Sequence, residues 1–292
     1  MNIYIKSLLF VAISIFVASC NKIEPPFTEG KKASGLDTVV FANEQTNIQR
    51  ILLEDFTGHT CGNCPAAATI AKDLYEAHPE QVIVIAMHVS DQFASPIADT
   101  GEFSYDFRTA EGTQIDQTFG ASNAGLPRGM INRVTFNGTK ILDRNDWASA
   151  LEPLLSNSPI IDLQVKSYTL AGSDSISAYI QTKFIVGLSG EYKLCAFVIE
   201  DSIINWQKDY SKPPGQKEIE NYVHMHAMRG AFVGAFGESI GTSFTVGQIV
   251  KKGYSLKMGE DWEIKNLKVV AYVYKVDSQE IVQTTETDLV VK

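Results

Sequence analysis

The chain has 292 residues, of which 45% are hydrophobic and 20% charged, a balance that builds ordinary folded cores. Its formal net charge is −9, and the sequence contains no cluster of lysine and arginine. Binding to nucleic-acid phosphates needs clustered cations, so the negative net charge and the lack of such a cluster argue against a nucleic-acid partner. The length exceeds one typical domain, so we expect two domains.

The first residues, 1–19, have the layout of a secretory signal peptide. One cation, Lys6, precedes an apolar run from about residue 8 to 18, which is too short to remain as a membrane-spanning helix. The run ends in VASC at residues 17–20, which resembles the cleavage sequence of bacterial lipoproteins. That resemblance implies cleavage before Cys20 and acylation of its thiol; an ordinary cleaved signal is the alternative. No other stretch is apolar enough to cross a membrane.

Residues 20–47 combine Pro-Pro, glycine and charges with little periodicity, and we interpret them as a tether. About 25 such residues behave as a random coil that reaches on the order of 28 Å. This length would lift a folded domain away from the membrane surface. The end of the segment, near TVVFA, is a candidate strand.

Residues 48–157 alternate short apolar runs with helical segments, which predicts an α/β domain. RILLEDF and QVIVIAMHV are predicted buried strands, and CPAAATIAKDLYEAH between them is a predicted helix. MINRVTF and TKILD, separated by Asn137-Gly138, predict a hairpin, because Asn-Gly favours a two-residue primed turn. DRNDWASALEPLL is a predicted closing helix with Asp or Asn at its N-cap.

Residues 158–292 contain several strand-like runs without intervening helices, which predicts an antiparallel β-sandwich. The runs are IIDLQVKSYTL, SISAYIQTKFIV, EYKLCAFVIED, GTSFTVGQIVKKGYSL and LKVVAYVYKV with EIVQTTETDLVV.

Two cysteines, Cys61 and Cys64, lie where a predicted strand meets a predicted helix. Unpaired backbone N–H groups and the helix dipole stabilise a thiolate at this position. We therefore assign Cys61 as the nucleophile and Cys64 as the cysteine that resolves the mixed disulfide. In an exported protein such a pair is expected to oxidise unless something keeps it reduced.

Two other interpretations of this pair stay open. A purely structural disulfide over so short a loop would contribute only about 2 kcal/mol by chain entropy. A zinc site needs four ligands, and without a second CxxC it would have to recruit His59 or a more distant histidine.

Cys195 is most simply a buried apolar residue. If the segment NYVHMHAMRG is extended, the side chains of His224 and His226 project from the same face. The two histidines then either pack as polar residues or bind a metal together with further ligands.

DFTGHTCGNC, followed by a helix, a strand and GLPRGMINRVTFNG, resembles the thioredoxin fold over about residues 48–157. The resemblance implies that Asp55 is the buried acid that moves protons for the resolving thiol. It also implies a cis peptide bond between Leu126 and Pro127, opposite the thiols, where substrate backbone pairs. The alternative for Pro127 is an ordinary trans proline in a turn. The alternative for Asp55 is a solvated carboxylate at the strand end, with the neighbouring Glu54 pointing inward instead.

The sequence departs from the thioredoxin pattern near the cysteines. Thr60 and Asn63 replace the usual tryptophan and proline, so the direction of electron transfer cannot be carried over. A longer connection, residues 92–124, supplies aromatic residues that suit a lid, a peptide-binding wall or core packing. These are Phe93, Phe103, Tyr105 and Phe107.

Taken together, VASC, CGNCP, GLPRGMINR and HMHAMR are similar to the twenty-eight-kilodalton outer-membrane protein family of lipoproteins. This implies an outer-membrane lipoprotein with a thioredoxin-like domain and an immunoglobulin-like companion. Our leading hypothesis is thiol–disulfide exchange on an exported protein or peptide client, without a cofactor or metal. The rival is a surface binding module or adhesin that uses the fold as a scaffold. The N-terminal lipid would anchor the protein to the outer membrane, on either its periplasmic or its surface face.

Overall fold

The computed structural model describes residues 31–32, 38–43, 46–97 and 101–292. The predicted signal peptide, Cys20 and most of the predicted tether lie outside these residues. In the described part, no helix is both long and apolar enough to cross a membrane. The fold is mostly β-sheet, with a small helical part in its N-terminal half.

The helices are α1 Cys64–Ala77, α2 Asp91–Ala94, α3 Ala110–Phe119 and α4 Trp147–Leu151. The strands of the N-terminal half are β1 Lys31–Lys32, β2 Ile51–Thr57, β3 Val82–His88 and β4 Arg128–Ile131. The C-terminal strands are β5 Ile161–Thr169, β6 Ser175–Phe184, β7 Leu188–Glu200, β8 Ile203–Lys208, β9 Glu218–His224, β10 Ala227–Ala231, β11 Glu238–Phe244, β12 Ile249–Lys257, β13 Leu267–Lys275, β14 Ile281–Asp288 and β15 Val290–Val291.

A strand–helix–strand unit forms the start of the fold, as its apolar patterning predicts. Every residue of β2 and β3 is buried, and the two strands pair in parallel. The helix α1 joins them and buries Ala67 and Ala71 against the face of β2 that carries Ile51 and Leu53. The strand β4 pairs antiparallel with the other edge of β2.

The predicted hairpin at Asn137-Gly138 is present in a shorter form than expected. Both residues have positive φ, as a primed turn requires, but only Phe136 and Thr139 form a bridge. The strand β4 ends at Ile131 because the next residues, Asn132 and Arg133, also have positive φ. The predicted closing helix is α4, flanked by 3-10 turns and carrying the fully buried Trp147.

One eight-stranded sheet combines strands from both sides of residue 157. Its order is β14-β13-β7-β10-β3-β2-β4, and β11 also pairs with β7. A five-stranded sheet, β1-β12-β6-β5-β15, and the two-stranded hairpin β8–β9 complete the described fold. The division into domains 48–157 and 158–292 remains a prediction, but β10 joins β3 in parallel across it, with Ala227 opposite Ala86.

A buried ion pair also joins the two halves. Glu54 on β2 accepts hydrogen bonds from Arg133 at 2.8 and 2.6 Å, and Arg133 donates another to the Tyr272 hydroxyl on β13 at 2.8 Å. Both partners of the ion pair are almost completely buried. Because side chains alternate along a strand, the next residue, Asp55, projects from the opposite face of β2.

Candidate disulfide site

Cys61 and Cys64 form a disulfide at the junction between β2 and α1, with their Cα atoms 5.4 Å apart. The backbone N–H of Cys61 donates to the carbonyl of Gly58, and that of Cys64 donates to the carbonyl of Cys61. Each cysteine is only 2% exposed. Cys195 is fully buried and unpaired, and burial raises the pKa of its thiol to about 12, so it behaves as an apolar core residue.

Asp55 is the acid on the α1 side of β2. It is 2% exposed, and its Oδ1 atom has no hydrogen-bond partner in the part of the chain that the structure describes. Burial raises the pKa of this carboxyl group to about 7. Asp55 and Cys64 both line one cavity of about 460 Å³. Glu54 does not replace Asp55 in this position, because it is held by Arg133 on the opposite face.

Leu126 and Pro127 lie next to the same strand end. Their peptide bond is cis, as the thioredoxin resemblance implies. They lead directly into β4, which pairs with β2 so that Arg128 stands opposite Phe56. Leu126 belongs to the hydrophobic cluster that contains both cysteines. The structure therefore brings the candidate substrate-binding segment and the disulfide loop into one packed region.

The hairpin β8–β9 covers the disulfide loop, which the sequence analysis did not predict. The backbone N–H of Lys208 donates to the carbonyl of His59 at 2.8 Å. The backbone N–H of Tyr210, just after β8, donates to the carbonyl of Gly62 at 2.7 Å. The Tyr210 ring packs so closely on Gly62 that a Cβ atom at Gly62 would overlap it. Glycine is therefore required here by the close approach of the ring.

A side chain of β8 adds to this cover. The Gln207 amide is buried and donates to the carbonyl of Cys61 at 3.1 Å and to that of Gly58 at 3.3 Å. The run INWQKDY, with Pro-Pro-Gly following, carries a hairpin signal in the sequence. Nothing in that local pattern indicates where the hairpin docks, because the docking uses backbone carbonyls of a loop about 145 residues earlier.

The aromatic residues of the long connection are mostly core residues. Phe103 and Phe107 are buried. The Phe103 ring packs between His59 and Trp206, with centroid distances of 5.9 and 5.6 Å. The Phe107 ring stacks on His88 at 4.4 Å. These contacts fill the space between the disulfide loop and the hairpin. Tyr105 lies further out, where its hydroxyl is hydrogen-bonded to Asp261 and Arg229.

His224 and His226 line the same cavity as Asp55, but their rings have different immediate partners. The His224 ring packs against those of Phe107 and His88, and burial lowers its pKa to about 4. His226 follows the end of β9 with positive φ; its backbone N–H donates to Asp201, and burial lowers the pKa of its ring. Across the described residues, no group of three or more His, Cys, Asp or Glu side chains is placed to hold a metal ion.

Comparison with known proteins gives the family. The family model for outer membrane protein Omp28 matches residues 113–291, which is more than half of the chain. The chain belongs to the Omp28 family. Membership associates it with the outer membrane and confirms the family that the sequence motifs resemble. No curated protein matches the chain.

Solved structures similar to this Omp28-family chain share little sequence identity with it. HBP35 of Porphyromonas gingivalis is 16% identical, with a TM-score of 0.58 over 84% of this chain and 77% of that one. An Omp28 lipoprotein domain from the same organism is 14% identical, with a TM-score of 0.31 over 46% of this chain and 91% of that one. A protein from Agrobacterium tumefaciens is 14% identical, with a TM-score of 0.45 over 82% and 95%. The likeness to HBP35 indicates a shared fold.

Proposed function

We propose that this Omp28-family protein is a lipid-anchored outer-membrane protein that carries out thiol–disulfide exchange on an exported protein client. In this proposal residues 48–157 act as a thioredoxin-like domain, and residues 158–292 as an immunoglobulin-like domain that positions the client. The observation that carries it is the Cys61–Cys64 disulfide at the start of α1, with the buried carboxyl group of Asp55 lining the same cavity as Cys64.

The proposed reaction starts from the reduced pair. The Cys61 thiolate attacks one sulfur of a client disulfide; that S–S bond breaks, a mixed disulfide forms and a client thiolate leaves. Cys64 gives its proton to the Asp55 carboxylate, and the Cys64 thiolate then attacks the sulfur of Cys61. The second client thiolate leaves, so the client is reduced by two electrons and the pair is oxidised. The reverse sequence oxidises a client dithiol.

Asp55 suits the proton-transfer role because its pKa of about 7 leaves both of its protonation states populated near neutral pH. Leu126 and Pro127 would hold an extended client segment beside the loop. Each cysteine is only 2% exposed and the hairpin β8–β9 is hydrogen-bonded to their loop, so in this proposal a protein client reaches the sulfurs after the contacts of Tyr210 and Gln207 with the loop have opened.

The same cover favours a second candidate function. A disulfide that stays closed beneath the hairpin would make this part a rigid scaffold, and the protein would act as a surface binding module or adhesin. Under this alternative the Cys61–Cys64 disulfide only stabilises the loop, and exchange with a client does not occur.

A redox titration separates the two functions. The fraction of oxidised pair is measured across a glutathione series, and reduction of a model disulfide substrate is compared for wild type, Cys61→Ser and Cys64→Ser. Exchange that requires Cys61, from a pair with a potential near that of the glutathione pool, supports the proposal. A pair locked below about −300 mV with no exchange supports the scaffold function instead.

A further inference from the structure

A cavity of about 460 Å³ lies between α1, the strands β2 and β3, and the hairpin β8–β9. Its size falls in the range of about 300–1,000 Å³ that is usual for small-molecule sites. Most of its surface is apolar. The apolar side chains come from all three walls: Ala68, Ala71, Val84, Ala86, Val223 and Met225.

Two nearly buried side chains in this cavity carry polar atoms that no described residue binds. Asp55 is 2% exposed and His88 is 4% exposed. Neither the Oδ1 atom of Asp55 nor either ring nitrogen of His88 has a hydrogen-bond partner among the residues that the structure describes. Buried polar groups are normally satisfied, and leaving them unpaired costs stability. These atoms therefore offer a donor and acceptors to a molecule that enters the cavity.

The charges around the cavity are balanced within the protein. Lys72 pairs with Glu76 at 3.6 Å, and Lys268 pairs with Asp201 at 3.1 Å. Burial lowers the pKa of His88 well below its usual value, so its ring is neutral at pH 7. Asp55 is the exception at neutral pH, but at pH 6 its carboxyl group is mostly protonated because its pKa is about 7. At that pH a charged molecule would lose hydration on entry and would find no unpaired opposite charge among these lining groups.

We infer that this cavity binds one uncharged, mainly apolar small molecule that carries a hydrogen-bond donor and an acceptor at the end facing Asp55 and His88. The site shares Asp55 and Cys64 with the proposed thiol chemistry, but binding itself requires no exchange. Binding is therefore measured on the oxidised protein without a reductant, so its outcome does not depend on whether the disulfide exchanges.

The first experiment compares four compounds of similar shape by equilibrium dialysis at pH 6 against the purified full-length protein, with a protein-free detergent sample as blank. The compounds are 2-naphthamide, 2-naphthoate, 2-naphthylmethylammonium and naphthalene. We expect one equivalent of 2-naphthamide to bind at least tenfold more tightly than either ion. A preference for the amide of less than tenfold over either ion, or no binding of the amide, would overturn the inference.

Variants locate the site. Ala68→Trp fills the cavity and is expected to abolish amide binding, whereas Ala66→Trp, at an exposed position of the same helix that does not line the cavity, should leave it unchanged. His88→Phe is expected to weaken 2-naphthamide binding about tenfold, since one hydrogen bond is lost, and to leave naphthalene binding unchanged. Amide binding that survives Ala68→Trp, or equal effects of His88→Phe on both compounds, would refute this placement.

Discussion

Removing the charge of Asp55 on β2 is expected to stabilise the folded protein, whereas removing the charge of its neighbour Glu54 is expected to destabilise it. Asp55 is buried, its Oδ1 atom has no hydrogen-bond partner among the described residues, and its pKa rises from 3.8 to about 7. Since one pKa unit corresponds to 1.36 kcal/mol, the ionised carboxylate costs about 4 kcal/mol of folding stability at high pH. Asp55→Asn removes this cost and is expected to stabilise the protein by up to that amount.

The sign of the effect fixes its pH window. Because the folded pKa lies above the unfolded value of 3.8, the stabilisation by the bound proton is complete below pH 3.8 and is lost as the pH rises through 7. The gain from Asp55→Asn is therefore about 2 kcal/mol at pH 5 and about 4 kcal/mol at pH 8. The difference between the two pH values cancels any pH-independent effect of the amide.

Glu54→Gln is the matched control, one residue away on the opposite face. It removes the charge that balances the buried Arg133, and it is expected to cost about 3–5 kcal/mol. Urea unfolding of oxidised wild type and both variants at pH 5 and pH 8 measures these free energies. An Asp55→Asn variant that is no more stable than wild type at pH 8, or whose gain is the same at both pH values, would refute the desolvation argument.

Four further outcomes are expected. Tyr210→Ala should speed reduction of the disulfide by dithiothreitol at least several-fold, because it loosens the hairpin, whereas Ile204→Ala at an exposed position of β8 should not. Gly62→Ala should cost about 1–3 kcal/mol through overlap with the Tyr210 ring, and combining it with Tyr210→Ala should recover most of that loss in urea unfolding. His59 is fully buried with its pKa lowered from 6.5 to about 4, so its protonation should cost about 3 kcal/mol as the pH falls from 6.5 to 4, and the stability of wild type relative to His59→Phe should fall by about that amount over this range in urea unfolding. Cys20→Ser should shift the protein from the membrane fraction to the soluble fraction in immunoblots, because it removes the thiol that is predicted to carry the lipid.

Local pattern was enough to predict the elements that carry the disulfide. The strands RILLEDF and QVIVIAMHV and the helix between them have strong apolar patterning and a turn at each end, and they form β2, β3 and α1. The burial of Asp55 was reached only through the thioredoxin resemblance. Two adjacent carboxyl groups, Glu54 and Asp55, do not reveal from the sequence which one finds a cation.

The long-range pairings could not be predicted from local pattern. The strand β10 joins β3 through a contact between residues about 140 positions apart, and its sequence AMRGA has little strand character. The docking of β8–β9 depends on carbonyl groups of the disulfide loop, which any sequence would present. Such contacts are decided by the packing of the whole chain, so the cover over the disulfide appears only in the folded structure.

The stability of this cover decides between the two candidate functions. The backbone N–H groups of Lys208 and Tyr210 and the amide of Gln207 bind the loop, and at about 1 kcal/mol each their loss costs about 3 kcal/mol. The open state would then be populated at roughly 1 in 150 molecules. A client that binds only this state has its apparent affinity reduced by the same factor. The exchange proposal therefore predicts slow exchange in the isolated protein and faster exchange when a client or partner also binds the displaced hairpin, whereas the scaffold proposal predicts no gain from opening.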